Sequence, residues 1–361
     1  MKIVLLFCLL CIFNNVIYGY KVLSKDSLEK IAKLSKPETL DIQTGRLLKP
    51  FLVERISGTE SNEQVREMII QHFQQLKWNI ELDTFTASTP LGEKNFTNVI
   101  VTKEPSAQRR FVLAAHFDSM YSPNFKFIGA TDSAVPCGIL LSVAETLNDY
   151  LSSDSDWRMT ANNKKPEDTT TLEMIFFDGE EAFKQWSPTD SIYGARHLAA
   201  RWEQESLTKY HPQTVKQANR LQLLDVLVLL DLIGTPNPKF HNYFRSTSWL
   251  YNHLSKLEAR LFSYQLLETK SKDGLALIPS LPSGLTEMMF QSGAIGDDHI
   301  PFMQRGVNIL HLIPFPFPEV WHEESDNADC LDPPTIKNFD ILFRAFVCEY
   351  LELDPSPHTE L

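Results

Sequence analysis

Two adjacent acids, Glu180 and Glu181, follow a mostly apolar run, Leu172 to Phe177, after only Asp178-Gly179. A buried strand that delivers two acids at its carboxyl end puts them where open α/β sheets keep their ligands. Adjacent side chains point in different directions. One acid can hold a metal while the other stays free as a base, a division of labour suited to metal-assisted acyl chemistry. A lone Glu-Glu pair is usually a solvated turn, so its meaning depends on what the chain places at its other strand ends.

Those ends are rich in the same chemistry. His116-Phe117-Asp118 follows the run Arg110–Ala115, and Gly129-Ala130-Thr131-Asp132 precedes the next helix. Asp231 directly follows the apolar run Val226–Leu230, and a proline-rich loop after Leu312 leads to Val320-Trp321-His322. Carboxyl ends of parallel strands converge on one crevice, and histidine nitrogen with carboxylate oxygen suits zinc. Each residue also has an ordinary explanation. His116 can be a hydrogen-bonded structural residue, and Asp132 can cap the helix that follows it. Asp231 is harder to dismiss, because an acid at the end of a buried strand needs a partner or a function. Their joint occurrence points to a site. Trp186, Trp321, Phe315 and Phe317 lie in nearby loops, where large aromatics make an apolar pocket wall. Asp297-Asp298-His299 can form a hydrogen-bond relay, since neighbouring carboxylates raise one another's pKa.

The elements that must position these groups alternate along the chain. Helical periodicity covers Glu60–Leu76, Val135–Tyr150 (with Pro136 in its first turn), Ser191–Glu203, Thr247–Leu261 and Pro334–Leu353. Strand-type runs are Trp78–Ala87, Phe96–Thr102, Arg110–Ala115, Leu172–Phe177, Val226–Leu230 and Val307–Leu312. This order predicts an α/β fold: a single globular domain whose central sheet is mixed but mostly parallel, with helices on both faces. The first two strands are close enough to form a hairpin. Ser152 to Thr170 reads as a polar surface loop, and about 269–292 as an irregular region.

Composition sets the compartment. Residues 1–19 have the form of a signal peptide: Lys2, an apolar run Ile3–Phe13, and a cleavage position near Gly19 or Tyr20. That run is shorter than the roughly 20 residues a spanning helix needs. The expected mature chain, 20–361, is a secreted catalytic domain, not held in a membrane once the signal is cleaved. A net charge of −12 and the lack of a Lys/Arg run argue against nucleic acid and anionic membranes as partners. Beyond the signal, Cys137, Cys330 and Cys348 are an odd number, which in an oxidising compartment leaves at least one free thiol or an intermolecular bridge; this is not a disulfide-stapled fold. Asn95-Phe96-Thr97 is an acceptor for N-glycosylation.

Several motifs carry a family resemblance: HFDS at 116–119, GATDSAVPC at 129–137, FFDGEEAFKQWSPTDSIYGARHLA at 176–199, LLDLIG at 229–234, DDHIPF at 297–302 and HLIPFPFPEVWH at 311–322. Over about 26–353 the chain resembles the animal-type glutaminyl cyclases, or glutaminyl-peptide cyclotransferases, which are related to zinc-dependent aminopeptidases. The resemblance implies an acyltransferase of zinc-aminopeptidase-like fold, acting on peptides and proteins with N-terminal Gln, as a monomer with one zinc ion per chain. It implies Asp132, Glu181 and His322 as zinc ligands and Glu180 as general acid/base. Asp231 and Asp297 would support Glu180 through hydrogen bonds, with Trp186, Trp321 and Phe317 at the substrate. Two departures stand out. The cysteine that often pairs with the Cys137 position is here Ala115, which leaves Cys137 as an expected buried thiol, with Cys330 or Cys348 as the alternative, more distant partners. Gly296 stands where family members commonly have glutamine. The rival reading is a two-zinc aminopeptidase on the same fold, with His116, Asp132, Glu181, Asp231 and His322 as ligands and Glu180 as base. A non-catalytic binding protein would be expected to have lost one of these groups, and none is lost.

Overall fold

Alternation of period two in the apolar runs builds the central sheet. In the computed structural model, which describes residues 20–152, 155–158, 169–209, 218–268, 277–279 and 295–355, six strands form: β1 (Asn79–Thr89), β2 (Gly92–Thr102), β3 (Arg109–His116), β4 (Thr170–Phe177), β5 (Leu224–Leu230) and β6 (Ile309–Leu312). The signal segment, most of the polar loop before β4 and most of the irregular 269–292 region lie outside the described residues. Strand order is β1-β2-β4-β3-β5-β6. β2 is antiparallel to both β1 and β4, whereas β3 pairs parallel with β4 and β5, and β5 pairs parallel with β6. The sheet is therefore mixed, with one strand reversed, as the β1–β2 hairpin requires.

Both faces of the inner strands are buried. Phe111, Leu113 and Ala115 of β3, Leu172, Met174 and Phe176 of β4, and Val226, Val228 and Leu230 of β5 enter the larger core. The alternate residues, among them Val112, Ala114, Ile175, Phe177, Leu227 and Leu229, enter a second core on the other face. Helices α1 (Lys25–Lys33), α2 (Glu60–Gln75), α3 (Val135–Leu147), α5 (Ser248–Ser263) and α7 (Pro333–Tyr350) supply side chains to the larger core. The second core is closed by α4 (Tyr193–Gln204) and by Phe302 of the short α6 (Ile300–Met303). Burial on both faces is why the inner strands read as nearly continuous apolar runs.

Boundaries differ from the sequence reading in places that have local causes. α4 begins at Tyr193, not Ser191, because Ile192 takes a left-handed conformation (φ 44°). β6 begins at Ile309, two residues after Val307. Asp132 does not cap α3. It sits in an irregular segment before the helix with φ −115°, ψ 79°, and the helix start has no side-chain cap. His116 and its metal-site neighbours compete for that carboxylate, as described next.

Candidate active site and metal centre

Glu180 and Glu181 leave the end of β4 through Gly179, whose φ of +80° and tight environment demand glycine: a Cβ there would sit 2.5 Å from the ring of Phe96. The turn is held from both sides. Ile192 N–H donates to the Glu180 carbonyl (2.8 Å) and Tyr193 N–H to the Gly179 carbonyl (2.6 Å), so the start of α4 grips the turn. Asp118, just past β3, accepts the Glu180 N–H on one oxygen (3.1 Å) and the Glu181 N–H on the other (3.3 Å). One carboxylate thus fixes the backbone of both acids. Asp178 is anchored in turn by Ser57, Asn62 and the Thr97 N–H.

Asp132, Glu181 and His322 each bring one ligand atom to within 4.8 Å of the others. His322 Nε2 lies 3.6 Å from an Asp132 oxygen and 3.5 Å from a Glu181 oxygen. The donor set fits a divalent cation. Glu181 Oε1 is buried without a hydrogen-bond partner, and a buried orphan oxygen asks for a proton or a metal. Burial, and then the charges of Glu181 and Asp231, push Asp132 up to about 8. Burial opposes a charge on His322, yet hydrogen bonding and charge from Glu181, with Asp132 and Asp231, push it up to about 9. Crowded acids that raise their neighbours' pKa values describe a place short of positive charge. Carboxylate oxygen and imidazole nitrogen are both among the donors that zinc accepts.

Two other groups pack around this trio. His116 Nε2 lies 2.9 Å from Asp132 Oδ1 and 3.6 Å from Asp231 Oδ1, and these three also meet within 4.8 Å. Asp231 accepts from the Ser133 hydroxyl and from the Leu232 N–H (2.8 Å). Asp297 is 2.6 Å from His311 Nε2 and accepts the Asp298 N–H. The hydrogen bonds recorded for Asp231 and Asp297 thus run to Ser133, Leu232, His311 and Asp298. The influence of Asp297 on Glu180 is through charge. Burial first, then Glu181, Asp297 and Asp298 against the pull of His116, raise Glu180 well above the ordinary carboxylate range. Asp298 is raised in the same way, by burial and then by Asp297.

The acids form the floor of a cleft of roughly 410 Å³ lined also by Met120, Tyr121, Trp186, Gly296, Phe317 and Trp321. Trp186 and Trp321 are 41% and 40% exposed, unusual for tryptophan and expected where an apolar wall awaits a guest. The Trp321 ring stacks on His322 (4.2 Å between centroids) and meets Phe317 edge-on (4.8 Å), so the aromatic wall is continuous with the candidate ligand.

Sequence reasoning placed Asp132, Glu180, Glu181, Asp231, Trp186, Phe317, Trp321 and His322 at one site, and the cleft is lined by all eight; Asp297 lies deeper, 1% exposed. It missed Arg55 and the task of Asp118. Arg55 is wholly buried and donates to the carbonyls of Phe117 (2.6 Å), Gly129 (3.0 Å), Asp132 (3.2 Å) and Ile128, tying the loop after β3 to the loop that carries Asp132. Nothing local marks it. Asp118 was visible within HFDS, but its service to the Glu180–Glu181 backbone depends on β3 and β4 lying side by side.

Known proteins share the chain's family and fold. The pattern of Peptidase family M28 matches residues 98–347. The glutaminyl-peptide cyclotransferase of Drosophila melanogaster is 40% identical over 328 residues, 89% of this chain and 86% of that protein. The crystal structure of Macrostomum lignano glutaminyl cyclase superposes with a TM-score of 0.78 at 35% identity, covering 94% of this chain and 96% of that one. A Zn-dependent exopeptidase from Parabacteroides distasonis shares the fold, with a TM-score of 0.58 at 16% identity, over 90% of this chain and 98% of its own. The chain belongs to peptidase family M28 and, within it, to the glutaminyl-peptide cyclotransferases.

Proposed function

We propose that this protein is a zinc-dependent glutaminyl cyclase: it converts the N-terminal glutaminyl residue of peptides and proteins to pyroglutamate and releases ammonia. The observation that carries the reading is the separation of two adjacent acids, with Glu181 turned toward Asp132 and His322 and Glu180 left out of that trio, buried at the floor of an aromatic cleft.

The substrate's own α-amine is the nucleophile, so the protein needs none. The cleft must fold the glutamine side chain back until amine nitrogen and γ-amide carbon meet. Trp186, Trp321 and Phe317 supply close walls for that task. Asp132, Glu181 and His322 would hold a single zinc ion, which when bound supplies Lewis acidity toward the γ-carbonyl oxygen. Glu180 accepts a proton from the attacking amine as the new C–N bond forms. It returns a proton to the amide nitrogen as the old C–N bond breaks and ammonia departs. A pKa raised by burial and neighbouring acids suits a group that must both take and give a proton. Asp297 tunes that charge, while Asp231 steadies Ser133 and the segment that bears Asp132. Residues 1–19 are read as a cleaved signal and the mature enzyme as a secreted monomer.

Incubation with a short Gln-initiated peptide, read by mass spectrometry, tests this function. Loss of the mass of one ammonia is expected. Release of free N-terminal amino acids with two zinc ions per chain would instead establish the aminopeptidase reading, for which His116, Asp132 and Asp231 form the second trio.

A further inference from the structure

We propose that Lys184, a residue lining the active-site cleft, is a specificity determinant: its positive charge selects Gln-initiated peptides that carry a carboxylate at the second or third residue. The inference rests on the cyclase reading and extends it to the part of the substrate that does not react.

Three observations lead to it. Lys184 lines the same cleft as Glu180, Glu181, Trp186 and His322, and among the described lining residues it is the one lysine or arginine. Its backbone is fixed. Asp190 accepts the N–H groups of Phe183 (2.9 Å), Lys184 (3.0 Å) and Gln185 (3.0 Å) in succession, which makes the segment between Glu181 and Trp186 a rigid loop. Its side chain is uncommitted: the residue is exposed and forms no ion pair among the described residues. A cation on a fixed base, beside an otherwise acidic cleft, has a ready partner only in what enters that cleft.

The substrate's geometry identifies the partner. The α-amine and γ-amide of the first residue are consumed at the floor, among Asp132, Glu180, Glu181 and Asp231. The remaining peptide must leave past the lining, where Lys184 stands three residues beyond Glu181. The floor acids and the net charge of −12 disfavour acidic peptides at a distance. A lysine at the lining reverses that bias for a carboxylate close behind the glutamine. Because the pair is partly exposed to water, its effect is modest and sensitive to salt.

The test compares kcat/KM for the peptides Gln-Ala-Ala, Gln-Glu-Ala, Gln-Ala-Glu, Gln-Lys-Ala and Gln-Ala-Lys, each with a C-terminal amide. The intact mature enzyme should favour at least one Glu peptide over its Lys counterpart about two- to fivefold, with the ratio falling toward one as salt is raised. Lys184→Met should bring the ratio near one, Lys184→Glu should invert it, and Lys184→Arg should restore it. An equal ratio in the unaltered enzyme, or a ratio unchanged in Lys184→Glu, overturns the proposal while cyclisation of Gln-Ala-Ala keeps the function. Failure to cyclise any of the peptides would overturn the function itself.

Discussion

Gly296 lies flush against the indole of Trp186: a Cβ at position 296 would stand 2.9 Å from Nε1 and 3.3 Å from Cε2 and Cζ2. Real side chains do not approach so closely, so the ring position depends on the missing side chain. Gly296→Gln should displace the indole and reshape the cleft. KM for a Gln-initiated peptide is expected to rise about three- to tenfold with a smaller change in kcat, because the wall binds and folds the substrate without touching the proton. A shift in tryptophan emission should accompany it. Unchanged KM and emission would show that the ring tolerates a neighbour there.

Replacing Glu180 with glutamine keeps its size and removes its proton chemistry. kcat should fall by about 10²–10⁴, within the usual range for loss of a general acid/base, while zinc content stays at the unaltered level. If the variant also loses zinc, Glu180 is a ligand and the division between the two acids is wrong.

Chelation of the metal should abolish turnover and lower Tm by on the order of 5 °C, because an ion bound only by the folded state stabilises it. One equivalent of zinc should restore both. Glu181→Ala should mimic the chelated state, since it removes one of three expected ligands. Atomic emission on the purified enzyme counts the metal directly.

Asp118→Asn removes one of the two oxygens that receive the Glu180 and Glu181 N–H groups. An amide can accept one of these bonds and turns its NH₂ toward the other. Misplacing the two acids is expected to cost about 10- to 100-fold in kcat, comparable with loss of support behind a metal ligand, with a smaller effect on KM. A purely structural role would lower Tm and leave kcat of the folded fraction intact, which active-site titration separates.

His72 makes part of the stability depend on pH. It lies in α2 near the Leu141 carbonyl (Nε2 to O, 3.2 Å), and burial holds it below its ordinary value of 6.5. The folded state therefore prefers the neutral ring. Its contribution is complete above the unfolded pKa and is lost as pH falls through about 6.5 and below. His72→Gln retains a donor for the carbonyl without the titration. Melting curves at pH 7.5 and 5.5 should show a smaller drop in Tm for the variant than for the unaltered protein.

Much of the site was legible because its members follow buried strands. Asp231 after Leu230 and Glu181 after Phe177 are polar groups where an apolar run stops, and a parallel sheet brings such ends together. The inner strands were equally plain as short, nearly continuous apolar runs from Phe111 to Ala115 and from Leu172 to Phe177. Groups whose work depends on tertiary neighbours stayed hidden. Arg55 has partners at Phe117, Ile128, Gly129 and Asp132, which only folding assembles. Asp132 resembled a helix cap by position, yet its carboxylate meets His116 and lies within the candidate metal trio. The order of strands, with β4 between β2 and β3, leaves no local trace in the sequence at all.

The three cysteines of the described chain are all free. Cys137 donates its thiol hydrogen to the His116 carbonyl (3.2 Å), while Cys348 lies wholly inside α7's buried face. Among the described residues the fold around the site is thus held by burial and by backbone and side-chain hydrogen bonds, with no disulfide. Such a body is expected to mature without an oxidant. It should assemble as readily in a reducing bacterial cytosol as along an export route, and a phosphine reductant, which unlike a dithiol does not strip zinc, should leave its melting temperature where it was.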